Sequence, residues 1–418
     1  MSDASFDAVE VNGRSYRRPV HPTVVVCFDG FDPAYLERGL ADGILPALAQ
    51  CRDRGFCTLA EAVVPSFTNP NNTSIVTGVP PAVHGISGNY YLDRQTGEEV
   101  MVTDARLLRC DTILGRMSQA GVRVAAVTAK DKLRRMVAHN LHGIAFSSQC
   151  AGDATQAENG IADVTALVGR GTPDQYDPDL SLFVMDAGVR LVERGMAELL
   201  YLSLSDLVQH AHAPGEPEAD RFHAAVDARI GRLVELGAVV GVVADHGMND
   251  KAQPDGTPRV VFLEDELTAR FGPGAARVIC PITDPFVRHH GALGSYVRVY
   301  ARNGADPEAM MAAVAALPGV ELVLSGEAAA ARFDLPAEFE GDFAVIGDRG
   351  TVIGASVREH DLSGLAGHRL RSHGGLAEQR VPFLLSHPLT PAYIERAGRG
   401  DLRNFDIFDF ALNGVAQS

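Results

Sequence analysis

Three carboxylates stand at the ends of apolar runs. Val26-Cys27-Phe28 ends in Asp29, Leu202-Ser203-Leu204-Ser205 in Asp206, and Val242-Val243-Ala244 in Asp245. If these runs are strands of one parallel sheet, the acids meet at its carboxyl edge, where open α/β sheets bind ligands. Like charges gathered there repel unless something neutralises them. A divalent cation is the simplest answer, and two cations suit so many ligands better. Histidines accompany the acids. His210 follows Asp206 by four residues, which places both on one face if the segment is helical. His246 adjoins Asp245, and His373 lies in the turn Arg371-Ser372-His373-Gly374-Gly375, where glycine lets backbone approach a partner closely. Mixed Asp/His ligands suit zinc, with manganese (Mn) or iron (Fe) as rivals.

The stretch Pro65-Ser66-Phe67-Thr68-Asn69-Pro70-Asn71-Asn72 offers a nucleophile. A largely apolar strand, Leu59 to Val64, breaks at Pro65, and Thr68 presents its hydroxyl among small polar residues and prolines. A threonine hydroxyl is inert at neutral pH without an activator. Singly, a strand-end Asp reads as a turn or cap residue and a lone His as an ordinary hydrogen-bonding group. Three such acids, the Asp-x-x-x-His pair, the Asp-His-Gly turn and Thr68 together make the signal specific.

The elements that must position these groups alternate. The runs Thr23–Phe28, 57–64, Val122–Thr128, Leu199–Leu204 and Ala238–Ala244 read as strands, most of them apolar throughout, as strands buried on both faces are. Helical spacing runs from Pro33 to about Arg54, with a Gly55 stop, and from near Asn71 or Asn72. It returns over Asp111–Gln119, Pro178–Arg194 with Asp177 as N-cap, and Asp220–Glu235. This predicts an α/β fold, a doubly wound, mainly parallel sheet flanked by helices. Residues 251–365 change to short strands (Val260–Leu263, Tyr296–Tyr300) and a helix (Pro307–Leu317), and Val381–Leu385 reads as a returning core strand. The expected division is therefore 1–132 as core with the nucleophile loop, 133–197 as a partly inserted segment, 198–250 as core with ligands, 251–365 as an inserted α+β cap, and 366–418 as core again.

The formal net charge of −16 over 418 residues argues against a nucleic-acid backbone as partner. It permits a small anion, because screening lets a few local cations dominate a site. No run of about 18 apolar residues suggests a membrane span. The first residues, Met1-Ser2-Asp3-Ala4, lead into no apolar stretch, so no secretory signal is expected. Six scattered cysteines (Cys27, Cys51, Cys57, Cys110, Cys150, Cys280) form no CxxC pair, and they read as reduced thiols of a cytoplasmic protein. A homodimer is compatible with the sequence. Lysine is scarce: Lys130, Lys132 and Lys251 are the only three among 37 basic residues. Two of them sit just beyond the strand ending at Thr128, at the edge where the acids converge.

The order Asp29, Thr68, Asp206/His210, Asp245-His246-Gly247, Ser372-His373-Gly374 resembles the alkaline phosphatase superfamily. The pattern from Thr68, Pro70, Thr73, Thr77 and Gly78 through His84-Gly85-Ile86 to Asn89 is similar to its nucleotide pyrophosphatase/phosphodiesterase branch. Within that branch the resemblance is to the enzymes that split phosphonoacetate. It implies two zinc ions, one held by Asp206, His210 and His373, the other by Asp29, Asp245 and His246 with the Thr68 oxygen. It implies attack by Thr68 at phosphorus, a phosphothreonine intermediate, and Asn89 gripping a phosphoryl oxygen. It also implies Lys130 and Lys132 binding a small anionic phosphonate substrate, whose leaving carbon lies next to a carboxylate and departs as acetate. The alternative is a phosphodiesterase or nucleotide pyrophosphatase using the same chemistry on a larger ester. Against a nucleotide slot stand the absence of Trp and an aromatic content of 6%. A sulfatase would need Cys or Ser in a x-Pro-x-Arg context, and a metal-stabilised binding protein would leave Thr68 idle. Arg371 is placed to touch substrate or an acid, His84 to be structural, and Lys251 to face solvent, while His289 and His290 read equally as lining the cap's mouth or as surface or structural histidines.

Overall fold

The computed structural model describes residues 8–284, 291–365 and 367–416. Its main sheet has seven strands in the order Phe56–Glu61, Arg380–Leu385, Val239–Val243, Thr23–Cys27, Leu199–Ser203, Val124–Thr128, Ile144–Ser147. The last five are mutually parallel. Arg380–Leu385 returns antiparallel to both its neighbours, so it alone runs against the rest. The central strands are buried at every residue, as expected where helices cover both faces. This is the α/β architecture expected from the alternation of apolar runs and helical spacing.

Register explains why the acids meet. Cys27 pairs with both Val243 and Ser203, and Ser203 with Thr128. Four parallel strands therefore finish level. Asp29 and Asp245 lie two residues past that line, Asp206 three, and Lys130 two. Sequence distance is converted to proximity by hydrogen-bond register alone.

The structure corrects three local expectations. The single helix over 33–54 is two helices, Pro33–Ala41 and Pro46–Arg54. Gly43 takes φ +71° between them, a conformation that ends a helix and favours glycine. The strand expected over 57–64 ends at Glu61, and Ala62–Val64 run on without a ladder partner to a cis Val64–Pro65 bond. The following helix begins at Thr68 itself and spans Thr68–Thr77, not at Asn71 or Asn72. Pro70 is tolerated because it is the third helical residue, whose N–H would have no intrahelical acceptor. Asn71 buckles the entry: its Oδ1 accepts from Val63 N at 2.8 Å, and its Nδ2 donates to Val63 O at 3.2 Å.

A second, antiparallel sheet has the order Ala276–Ile279, Tyr296–Ala301, Phe343–Gly347, Val320–Ser325. Helices Leu263–Phe271, Pro307–Ala315 and Gly326–Phe333 accompany it, around an apolar core of its own. That core takes in Val64 and Phe67. The turn ahead of Thr68 is thus held by the second sheet's core while its helix packs with the first. Among the described residues no helix is long and apolar enough to cross a membrane.

Candidate active site

Thr68 opens its helix, and every later residue of that helix is buried. The N-terminus carries unsatisfied N–H groups and partial positive charge, suited to an anion. Thr68 Oγ1 lies 3.2 Å from His246 Nε2. Around it are two groups of potential metal ligands, Asp206/His210/His373 and Asp29/Asp245/His246, each with ligand atoms within 4.8 Å of one another. The His246 and His373 rings, one from each group, stack with centroids 3.5 Å apart, so the groups are adjacent.

The histidine tautomers follow from their partners. Nδ1 faces a backbone carbonyl in all three: Gly247 at 2.9 Å for His246, Ser66 at 2.8 Å for His373, and Arg371 at 2.7 Å for His210. Each Nδ1–H therefore donates, and each Nε2 lone pair points inward, as in metal-bound histidines. His246 Nε2 lies 3.2 Å from Asp29 Oδ1. His210 Nε2 lies 2.9 Å and His373 Nε2 3.8 Å from Asp206 Oδ2. Asp29 Oδ1 is buried without a hydrogen-bond donor. Buried carboxylates crowded against imidazoles call for cations, and the donor set of carboxylates, imidazoles and a hydroxyl fits zinc or a comparable ion.

Without a cation, protons take over part of that neutralising role. Burial, then Asp206 and Asp245, push the Asp29 carboxyl well above its usual range. Burial pushes Asp245 up as well; His246 opposes this, and Asp206 adds to it. Burial opposes protonation of His246, but Asp245, Asp29 and Asp206 outweigh it and push the ring up to about 10. Burial, with His246 and His210, pushes His373 well below the ordinary imidazole range. Asp245 is further fixed from outside. Its Oδ1 accepts from Gly30 N and His246 N at 3.2 and 3.1 Å, and its Oδ2 accepts from Asn72 Nδ2 at 2.9 Å. Asn72 Oδ1 accepts in turn from Tyr201 OH at 2.6 Å and Ser203 Oγ at 2.9 Å. Asn72 stood in the motif without a role.

A cavity of about 370 Å³ opens onto these groups. Asp29, Thr68, Asn89, Lys130, Lys132, Asp206 and His373 line it, and it continues toward Gln149, Gln175 and Tyr176. His210, Asp245 and His246 lie behind its wall. Lys130 opens the helix Asp131–Val137 and places Nζ 3.8 Å from Asp206 Oδ1. Burial disfavours its charge, but Asp206, Asp29 and Asp284 outweigh that and raise its pKa. Lys132 Nζ pairs with Asp284 Oδ2 at 2.7 Å, with the two side chains 14% and 12% exposed, and burial outweighs Asp284 to lower its pKa. Asp284 had no signal in the sequence. Asn89 is anchored by Pro281 O, which accepts from its N–H at 2.8 Å, and by Ile282 O, which accepts from Nδ2 at 3.2 Å.

Other expectations resolve differently. Among the described residues Arg371 meets no acid, and it does not line the cavity: Nε donates to Gln209 O at 2.8 Å, and Nη2 to Tyr35 OH at 3.1 Å and Met248 O at 3.3 Å. It fastens the turn that carries His373 to the helix that carries His210. His84 is buried, with Nε2 2.8 Å from Ser74 Oγ and Nδ1 accepting from Ile86 N at 3.1 Å. His289 and His290 lie outside the described residues. Lys251 does not face solvent. It and Glu378 are both 0% exposed and pair at 2.9 Å, while Glu378 O accepts from Gly247 N at 2.8 Å. Lys251→Met strands a buried carboxylate directly behind the Asp245-His246-Gly247 turn. It is expected to cost about 3–5 kcal/mol, read as a lowered urea midpoint; a cost under about 1 kcal/mol would contradict the pairing argument.

Comparison with known proteins adds the lineage. The model of the type I phosphodiesterase / nucleotide pyrophosphatase family matches residues 23–374. The crystal structure of phosphonoacetate hydrolase from Sinorhizobium meliloti 1021, in complex with phosphonoacetate, is 45% identical with a TM-score of 0.91, covering 98% of this chain and 99% of that one. Its complex with phosphonoformate superposes equally well. A phosphonoacetate hydrolase of Penicillium oxalicum is 56% identical over 48 residues, 11% of this chain and 67% of that protein. Matches to pyrophosphatase/phosphodiesterase relatives of Caenorhabditis elegans and Schizosaccharomyces pombe span only 10% and 47% of those longer proteins. On the extent of the family match and the full-length likeness, the chain belongs to the type I phosphodiesterase/nucleotide pyrophosphatase family and, within it, groups with the phosphonoacetate hydrolases.

Proposed function

We propose that this protein hydrolyses the carbon–phosphorus bond of phosphonoacetate to acetate and phosphate, with Thr68 as nucleophile. The observation that carries the reading is one cavity holding Thr68, Asn89 and the lysine pair Lys130 and Lys132 beside both ligand groups. The S. meliloti relative, alike over its whole length, was crystallised with phosphonoacetate.

Asp206, His210 and His373 would hold one divalent cation, and Asp29, Asp245 and His246 the other, with zinc favoured by the mixed donors. Such ions supply Lewis-acid charge that acidifies a hydroxyl or a water. Thr68 Oγ1 gives its proton to water in the cavity and forms a bond to phosphorus as the P–C bond breaks. The bonding pair passes to carbon and is delocalised over the adjacent carboxylate before that carbon takes a proton from water to give acetate. Lys130 and Lys132 face this developing charge. An ammonium has three donors, so Lys132 can keep Asp284 and still donate to a substrate carboxylate. Asn89 and the helix N-terminus at Thr68 donate to phosphoryl oxygens, contacts that strengthen as charge grows there. Water then cleaves the phosphothreonine and frees phosphate.

Phosphate release from phosphonoacetate, compared with hydrolysis of bis-p-nitrophenyl phosphate by the same holoenzyme, tests the substrate. The expected result is a kcat/KM for the phosphonate well above that for the diester, because the diester offers the two lysines no carboxylate. Turnover of the diester alone would move the assignment to a phosphodiesterase.

A further inference from the structure

The strand Tyr296–Ala301 carries a charge inside an apolar sheet. Arg298 and Glu340 are both 0% exposed and meet at 2.7 Å through Nη2 and Oε1. Nε adds a 2.9 Å bond to the same oxygen, and Tyr296 OH donates to Glu340 Oε2 at 2.8 Å. Taking such a pair out of water costs several kcal/mol per ion, and apolar residues of similar volume are often no worse for stability. What the arginine adds is reach. Its Nη2 leaves the second core and donates to Ser87, to the carbonyl oxygen at 3.0 Å and the hydroxyl at 2.9 Å.

Ser87 is two residues from Asn89, and the residue between them has no room for a side chain. A Cβ on Gly88 would stand 2.7 Å from Pro281 Cβ. Beyond it, Asn89 N donates to Pro281 O at 2.8 Å and Nδ2 to Ile282 O at 3.2 Å. The short loop is thus gripped at both ends, by Arg298 on one side and Pro281–Ile282 on the other. Without the first grip, Gly88 would let Ser87 and Asn89 turn relative to one another.

We infer that Arg298, braced by Glu340, is a positioning residue that sets the Ser87–Asn89 loop so that the Asn89 amide faces the phosphoryl oxygens. The inference rests on the reading of Asn89 as a substrate contact. The buried ion pair thereby ties the second sheet's core to the reacting group through one side chain.

The test is a double-mutant cycle on the full-length holoenzyme with phosphonoacetate. Asn89→Ala is expected to lower kcat by about 10²-fold. Arg298→Lys keeps a cation beside Glu340 but lacks the planar fork that reaches Ser87; it is expected to lower kcat about 10-fold with KM changed less than about 3-fold. The double variant should be no slower than Asn89→Ala alone, because residues acting through one contact are not additive. Full activity in Arg298→Lys, or losses that multiply in the double variant, overturns the inference and leaves the role of Asn89 intact. Full activity in Asn89→Ala overturns the reading of Asn89, and the positioning role with it. Ser87→Ala removes only the hydroxyl contact and serves if Arg298→Lys does not fold. A loss of about 3-fold that vanishes in the Asn89→Ala background supports the inference; no loss, or one that persists there, overturns it.

Discussion

Thr68→Ala is expected to lower kcat for phosphonoacetate by about 10⁴-fold or more, while the protein folds and retains its metal. The structure separates the hydroxyl from everything structural nearby. The Thr68–Thr77 helix begins without any side-chain cap, so alanine at its first position removes no capping bond. The hydrogen bond from Asn72 Nδ2, at 3.0 Å, goes to the Thr68 carbonyl, which alanine keeps. Oγ1 itself faces His246 Nε2 at 3.2 Å. The stability change should therefore stay within about 1 kcal/mol, and loss of rate cannot be assigned to unfolding. Some catalysis over water should survive from the remaining charges, as it does when other enzymes lose their nucleophile. Thr68→Ser keeps the oxygen but loses the methyl group that restricts χ1, and should retain activity within about tenfold. Rapid acid quench during turnover should trap phosphorus on the segment containing Thr68 in the wild type and none in the alanine variant. An alanine variant retaining a tenth of wild-type kcat would remove Thr68 from the reaction.

Some of this site was open to reading from the chain alone, and the reason is geometric. Strands buried on both faces appear as unbroken apolar runs, so the acids that end them stand out, and parallel register guarantees that Asp29, Asp206 and Asp245 arrive at one edge. The helix boundaries were harder to read. Gly43 divides one apolar period into two helices, and the Asn- and Pro-rich Thr68–Thr77 segment carries no amphipathic stripe because nearly all of it is buried. Least legible were the residues that hold the ligands. Asn72 grips Asp245 across 173 positions and Lys251 meets Glu378 across 127, and no local pattern encodes such pairings. A lysine in sequence reads as surface by default, and Lys251 is buried only because a carboxylate from a distant loop arrives beside it. The same holds for Arg298 with Glu340, and for Lys132 with Asp284.

Exhaustive chelation should remove activity and lower the melting temperature together, and added zinc should restore both. Asp29, Asp206 and Asp245 are all buried, with Asp29 Oδ1 lacking any donor and the three Nε2 atoms turned toward carboxylate oxygens. Stripped of cations, this cluster keeps its repulsion and its desolvation cost while losing what offset them. Ions that bind the folded state at about 10³ times their dissociation constant contribute about 4 kcal/mol each. At about 2–4 °C per kcal/mol or somewhat less for a chain of this size, the loss is expected to be at least about 5 °C. His210→Ala should reduce bound zinc from two ions per chain toward one, because that ring belongs only to the Asp206/His210/His373 group. Asn72→Ala gives the graded case. It frees Asp245 Oδ2 without removing a ligand, and loss of such an outer partner costs metal affinity about 10–100-fold. Its activity should therefore disappear at a correspondingly lower chelator concentration and return at higher zinc. Activity that survives complete metal removal, or a melting temperature indifferent to it, would mean that the two ligand groups are held together by protons and not by ions.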